Sequence, residues 1–175
     1  MAAGKVKILL DADVIIHFAK GDMLAVLPTF LPGYEFCVLN IVKQEVHQPT
    51  LSYLERQMAF LHNITELQFG ETAEERKEFA RLTSVEYLGR GESACMVYCR
   101  YHNEVVGSSN LRDILNYCKA HAISYLTTTD FLYYGIKNGK ITKAEADEFI
   151  AKVNASGSRV PVVDFDAYMP NCQVV

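Results

Sequence analysis

The chain has 175 residues, 50% hydrophobic and 22% charged, with ten Tyr and nine Phe. That length suits one globular domain, and that much apolar surface excludes a disordered chain, which cannot offset its ordering entropy. The formal net charge of −4 speaks against a constitutive, high-affinity nucleic-acid binder with a basic footprint, but not against an enzyme that meets nucleic acid through a local patch.

In chain order, Val6 to Leu10 reads as a buried strand ended by Asp11, and Val14 to Lys20 as a short helix stopped by Gly21. Asp13 is expected to cap that helix. Pro28, Pro32 and Gly33 mark a loop, and Phe36 to Leu39 reads as a second strand. Asn40 is expected to cap a helix through Glu45 to about His47, ended by Pro49. Ser52 to His62 reads helical, with Ser52 and Glu55 as a capping box, and a charged stretch follows. Thr72 and Glu75 form another box, opening a helix to about Leu82. Beyond Gly89, Arg90 and Gly91 a helix runs from Glu92 to about His102, then a strand from Val105 to Ser108. Asn110 to His121 reads as a helix, Ile123 to Thr127 as a strand, and Thr129 to Asn138 as a helix stopped by Gly139. Thr142 and Glu145 box a last helix to about Val153, and the Pro-interrupted stretch Val160 to Phe165 fits no element.

Four strands alternating with helices predict an α/β fold, a three-layer α/β/α sandwich with a mainly parallel central sheet. One domain over residues 1–155 is expected, followed by a tail over 156–175 of undetermined packing. Ligands of open parallel sheets bind beyond the carboxyl ends of the strands. Asp11, Asn40, Ser108 to Asn110 and Thr127 to Asp130 fall there.

Asp11 ends a buried strand, where a carboxylate is costly unless capped, paired or metal-bound. Glu45, taken alone, reads as a solvated residue on a helix. Glu92 suits the helix dipole in a first turn, but Gly91 before it also permits close backbone approach. Asn110 and Asp113 are spaced as a capping box, and either could instead reach the sheet edge that carries Asp11. Both readings stand. The five cysteines (Cys37, Cys95, Cys99, Cys118, Cys172) are odd in number and include no CxxC, so free thiols are expected. Cys95, Cys99 and His102 share one helix face, but that helix is apolar nearly all round and no fourth ligand follows, so buried thiols are preferred over zinc. No His falls at a strand end, which disfavours a histidine base. No apolar run reaches the roughly 18 residues of a membrane span. The first apolar run is cut by Asp11 and Asp13, unlike a leader peptide. A cytoplasmic protein is expected.

Several of these positions together resemble a family. The run Ile8-Leu9-Leu10-Asp11-Ala12-Asp13-Val14 resembles the opening strand and Asp of PIN-domain nucleases. Ile41-Val42-Lys43-Gln44-Glu45-Val46 is similar to their second acidic position, and Gly89-Arg90-Gly91-Glu92-Ser93-Ala94 to the glycine-flanked acidic residue opening a central helix. Val105-Val106-Gly107-Ser108-Ser109-Asn110 occupies the place of the strand and turn carrying the last acidic residue. Gly139 to Glu145 resembles the C-terminal region of many prokaryotic members. The resemblance spans about residues 6–155. The chain departs from the pattern at Asn110, where the family usually has Asp, and at Asp13, where a small hydroxyl or amide residue is commoner.

The resemblance implies a PIN-like fold and a Mg²⁺- or Mn²⁺-dependent endoribonuclease. It implies Asp11, Glu45, Glu92 and Asp113 as catalytic carboxylates, and Asp11, Glu92, Asn110 and Asp113 as metal ligands. Ser108, Arg90 and Arg112 are the substrate-binding candidates, with Lys20 a further cation near that edge. Small members are often toxins held inactive by a separately encoded antitoxin, and the resemblance implies a homodimer. Two other readings compete. Asn110 favours a catalytically impaired PIN-like module that binds RNA or a protein. Asp11-Ala12-Asp13-Val14 after a strand also resembles the nucleophile motif of haloacid-dehalogenase-type phosphotransferases, whose later Lys and paired-Asp motifs are not evident.

Overall fold

The apolar run near the start of the chain becomes the middle strand of the sheet. In the computed structural model, which describes residues 4–174, β1 (Lys7–Leu10) is fully buried from Ile8 onward. It pairs in parallel with β2 (Glu35–Leu39) on one side and β4 (Val105–Gly107) on the other. β3 (Thr65–Leu67) lies outside β2 and β5 (Tyr125–Leu126) outside β4, giving the all-parallel order β3-β2-β1-β4-β5. Ile8, Leu9, Val38 and Val106 are inaccessible to solvent. Such two-sided burial explains why the central strands read as unbroken apolar runs.

Parallel pairing needs crossover connections, and the helices supply them. They are α1 (Ala12–Lys20), α2 (Asn40–Lys43), α3 (Thr50–Arg56), α4 (Ala73–Ser84), α5 (Arg90–His102), α6 (Leu111–Ala120), α7 (Thr128–Lys137) and α8 (Lys143–Ala155). The result is the three-layer α/β/α sandwich expected from the strand–helix rhythm. One aromatic cluster joins α1, α7 and α8: the Phe18 ring lies 6.1 Å from Phe30 and Phe131 and 4.8 Å from Phe149. Among the described residues no helix is long and apolar enough to cross a membrane.

Several local expectations are corrected. The sheet has five strands, because Thr65–Leu67 pairs with β2. Leu39, not Asn40, is the N-cap of α2. The Asn40 Oδ1 instead accepts the Phe69 N–H at 3.0 Å, which ties α2 to the loop after β3. α2 proper ends at Lys43, leaving Glu45 in the turn beyond it. Ser52 lies inside α3 and donates to Gln48, so it caps nothing. The boxes at Thr72/Glu75 and Thr142/Glu145 form as expected, and Thr127/Asp130 forms one more.

The tail is tied down. Val160 and Phe165 are buried. The Asp130 carboxylate, wholly buried, accepts from the Tyr168 hydroxyl at 2.8 Å and from the Asn171 backbone and side-chain amides at 2.9 Å each.

Candidate acidic site

Asp11 sits where β1 turns into α1. Its backbone N–H still belongs to the sheet, donating to the Gly107 carbonyl at 2.8 Å. It holds the N-cap position of α1, but its side chain makes no capping bond. One carboxylate oxygen, Oδ2, accepts from the Ser108 hydroxyl at 3.2 Å. The other, Oδ1, is buried with no hydrogen-bond partner. A buried carboxylate oxygen without a donor carries a full desolvation cost, so the arrangement is unfavourable on its own.

Asp13 does not cap the helix, contrary to expectation. The helix begins two residues earlier than expected, at Ala12, and the Asp13 Oδ2 accepts the Ser109 N–H at 2.8 Å. It therefore ties α1 to the turn between β4 and α6.

Gly91, in the first turn of α5, brings two carboxylates to one place. Its backbone N–H lies near enough to Glu45 to offset part of the rise in that carboxyl's pKa. A Cβ at this position would stand 2.5 Å from Glu45 Oε2 and 2.7 Å from Asp11 Oδ1. Only a residue without a side chain leaves that space open. Glu92 folds back against Gly89, while its Oε1 accepts from the Asn110 amide at 2.8 Å. The same Nδ2 donates to Asp113 Oδ2 at 3.1 Å. Asn110 occupies the N-cap position of α6 without a side-chain capping bond, so the expected capping box is not formed. It bridges two carboxylates instead.

The structure thus brings Asp11, Glu45, Glu92, Asn110, Asp113 and Ser108 together beyond the carboxyl ends of β1, β2 and β4, and adds Asp13. Burial, then Asp13 and Glu92, push the Asp11 carboxyl well above the usual carboxylate range. Burial is also the main cause that raises Asp13, to about 6, and Glu45, with Glu92 adding to both. Desolvation leads at all three carboxyls, and the neighbouring Glu92 charge adds to it at each.

Cations are sparse here. The Arg90 guanidinium lies 5.4 Å from the Phe79 ring centre and partly offsets the rise at Glu45. Arg112 is 94% exposed, with its Nε 3.5 Å from Asp113 Oδ1. Lys20, the further cation, is held by the Ser156 carbonyl and the Ser158 hydroxyl. Cys95 and Cys99 are buried thiols whose pKa values burial raises, which leaves them poor ligands and nucleophiles.

The donor set suits a hard divalent cation. It is all oxygen, it carries an orphaned buried carboxylate atom, and Gly91 leaves a cradle between Asp11 and Glu45. As the side chains stand, no three His, Cys, Asp or Glu among the described residues converge on one point. Glu92 is turned toward Gly89 and Asn110, so an ion would have to draw it inward. Sequence reasoning missed the Asp13–Ser109 bond and the bridging amide of Asn110. The Asp-x-Asp spacing hinted at the first, but the second joins residues 18 apart and has no local signature.

In comparisons with known proteins, no family model and no curated protein matches this chain.

Proposed function

We propose that the protein is a divalent-metal-dependent ribonuclease of the PIN type. The observation that carries this reading is Asp11: a buried carboxylate with one unpartnered oxygen, set opposite Glu45 across the gap at Gly91. A protein gains nothing in stability from that arrangement, whereas a cation would complete it. Asp11 and Glu92, with Asp113 and the carbonyl of Asn110, would hold Mg²⁺ or Mn²⁺. When bound, the ion would supply charge stabilisation at a scissile phosphate and lower the pKa of a water nucleophile.

The remaining work falls to the chain itself. Ser108 orients Asp11 through its hydroxyl, and Asp13 fixes the Ser109 turn that carries Ser108 and Asn110. Glu45, only partly buried and raised in pKa, is suited to take a proton from an attacking water. Arg90 and Arg112 are exposed at the rim, where phosphates of a strand would pass.

The test is incubation of labelled single-stranded RNA with Mn²⁺, with Asp11→Asn as control. Wild type should cleave and the variant should not. The variant should also melt higher without metal, by roughly 3–6 °C, since it removes a buried charge beside Asp13 and Glu92. Wild-type protein that neither cleaves RNA nor binds Mn²⁺ at millimolar concentration would sink the reading. A second reading rests on Asn110, whose amide already neutralises part of the cluster: a PIN-like module that binds RNA or a protein without cutting. RNA binding without cleavage in that assay would favour it.

A further inference from the structure

A cavity of about 840 Å³ opens beside the acidic site, between the start of α6, the first turn of α7 and the segment 157–171. It begins at Ser109, in the turn whose neighbours Ser108 and Asn110 hold Asp11 and Glu92. Leu111, Val160, Pro161, Val163 and Tyr168 give it apolar walls. Among the described residues Arg159 is its one charged lining residue, and no carboxylate lines it. In a chain of net charge −4, that is a local reversal of sign. Arg159 is exposed and makes no ion pair among the described residues. The Thr129 hydroxyl, also in the lining, has no hydrogen-bond partner among them either.

A concave site of this size, with apolar walls set beside Ser, Thr and Asn side chains, suits a ligand of nucleotide dimensions. Its chemistry narrows the class. Tyr168 with the Val and Pro side chains offers surface for a flat heteroaromatic ring, as stacking platforms for single-stranded nucleic acid do. Arg159 offers a guanidinium for a phosphate at the mouth. Its contiguity with the carboxylates places both features along one path.

We propose that this cavity seats one base of a single-stranded RNA substrate, with Arg159 meeting an adjoining phosphate, so that the strand is held beside the acidic site. The proposal rests on the ribonuclease reading for its substrate, but its test does not use cleavage. The probes are 5′-mononucleotides and, separately, inorganic phosphate, titrated into the full chain in EDTA and followed by NMR. Mononucleotides should shift the resonances of Thr129, Val163 and Tyr168. Arg159→Ala should weaken their binding about tenfold, the loss of one charge-assisted hydrogen bond. Val163→Trp, which fills the cavity from a partly exposed position, should abolish it. The proposal is overturned if millimolar nucleotide leaves those resonances unmoved, if neither substitution changes affinity, or if phosphate alone binds as well as nucleotide. Wild-type protein that cleaves RNA yet fails this titration loses the base seat and keeps the nuclease. Protein that binds nucleotide here without cleaving RNA loses the nuclease alone.

Discussion

Gly91 shows how one missing side chain shapes a site. In an ordinary helix, Gly→Ala stabilises by about 0.5–1 kcal/mol, because the backbone has less freedom to lose. Here the new methyl would press on Glu45 Oε2 and Asp11 Oδ1. Glu45 can swing outward, but buried Asp11 cannot. Gly91→Ala should leave the helical circular dichroism intact and cut RNA cleavage by about 100-fold, the usual consequence of an ångström of misplacement. Asn110 is the second telling residue. Its amide donates to Glu92 and Asp113 at once, which partly replaces the positive charge a cation would bring. Asn110→Asp should therefore lower Tm without metal and tighten Mn²⁺ binding in calorimetry, with Mn²⁺ held more strongly than Mg²⁺ in line with the affinity order of divalent ions. Unchanged affinity in that variant, together with loss of binding in Asp113→Asn, would make Asp113 the ligand and Asn110 only a spacer.

Between elements, α1 and α7 are joined by a buried polar contact. His17 Nδ1 lies 2.8 Å from the Thr128 hydroxyl, which in turn is 2.9 Å from Ser109 Oγ. Burial, with Lys20 adding to it, lowers the His17 pKa from 6.5 to about 4. The sign follows from linkage. Between those values the unfolded chain binds a proton that the folded chain refuses, so His17 costs stability as pH falls below 6.5, and the loss is complete near 4. Asp13 runs the other way: its pKa is raised from 3.8 to about 6, so its contribution is greatest below 3.8 and is lost as pH rises through 6. Comparison with His17→Gln separates them. The stability of wild type relative to that variant, from urea unfolding, should fall by about 2 kcal/mol between pH 7 and pH 5. A constant difference would show that His17 does not titrate in this way.

The same scale shows what could be read in advance. The central strands and the capping boxes at Thr72 and Thr142 were legible, because burial writes apolar runs and caps write fixed spacings. β3 was not. Its three residues lie at a sheet edge, Thr65 is exposed, and Glu66 pairs with Lys43, so no apolar pattern marks it. Asp11 stood out as a carboxylate ending a buried strand, whereas Glu45 and Glu92 each looked ordinary alone, and only their order along the chain drew attention to them. The Asp13–Ser109 bond depends on how β1 and β4 pair across nearly a hundred residues, and the Asn110–Glu92 contact on how α5 packs against α6, neither of which a local pattern encodes.

Across the whole molecule, the segment after α8 is part of the fold. Val160 and Phe165 bury apolar surface, and Tyr168 and Asn171 satisfy the carboxylate of Asp130 inside it. Tyr168→Phe removes one of those donors and should cost about 1–3 kcal/mol in thermal or urea unfolding, since a buried carboxylate loses a bond it cannot replace from water. Removal of residues 156–175 should be far more damaging, leaving a poorly folded or insoluble protein. If the shortened chain melts within a few degrees of the full one, the segment is an accessory and the domain ends at α8.

The central place of β1 has a kinetic consequence. Its partner β2 begins only 28 residues further along, as the register Lys7 to Glu35 shows, whereas β4 reaches it from position 105. Loop closure penalises the second pairing more, and long-range contacts form late. Asp11, Glu45 and their neighbours on the early half can therefore collapse before Ser108, Asn110 and Asp113 arrive. On that order the full set of carboxylates would be crowded together only when the last strands dock, after most of the hydrophobic driving force has been gathered to hold them. During refolding, helical signal should return ahead of any Mn²⁺ binding by the proposed site, and a chain halted at that stage would be compact but lack that site.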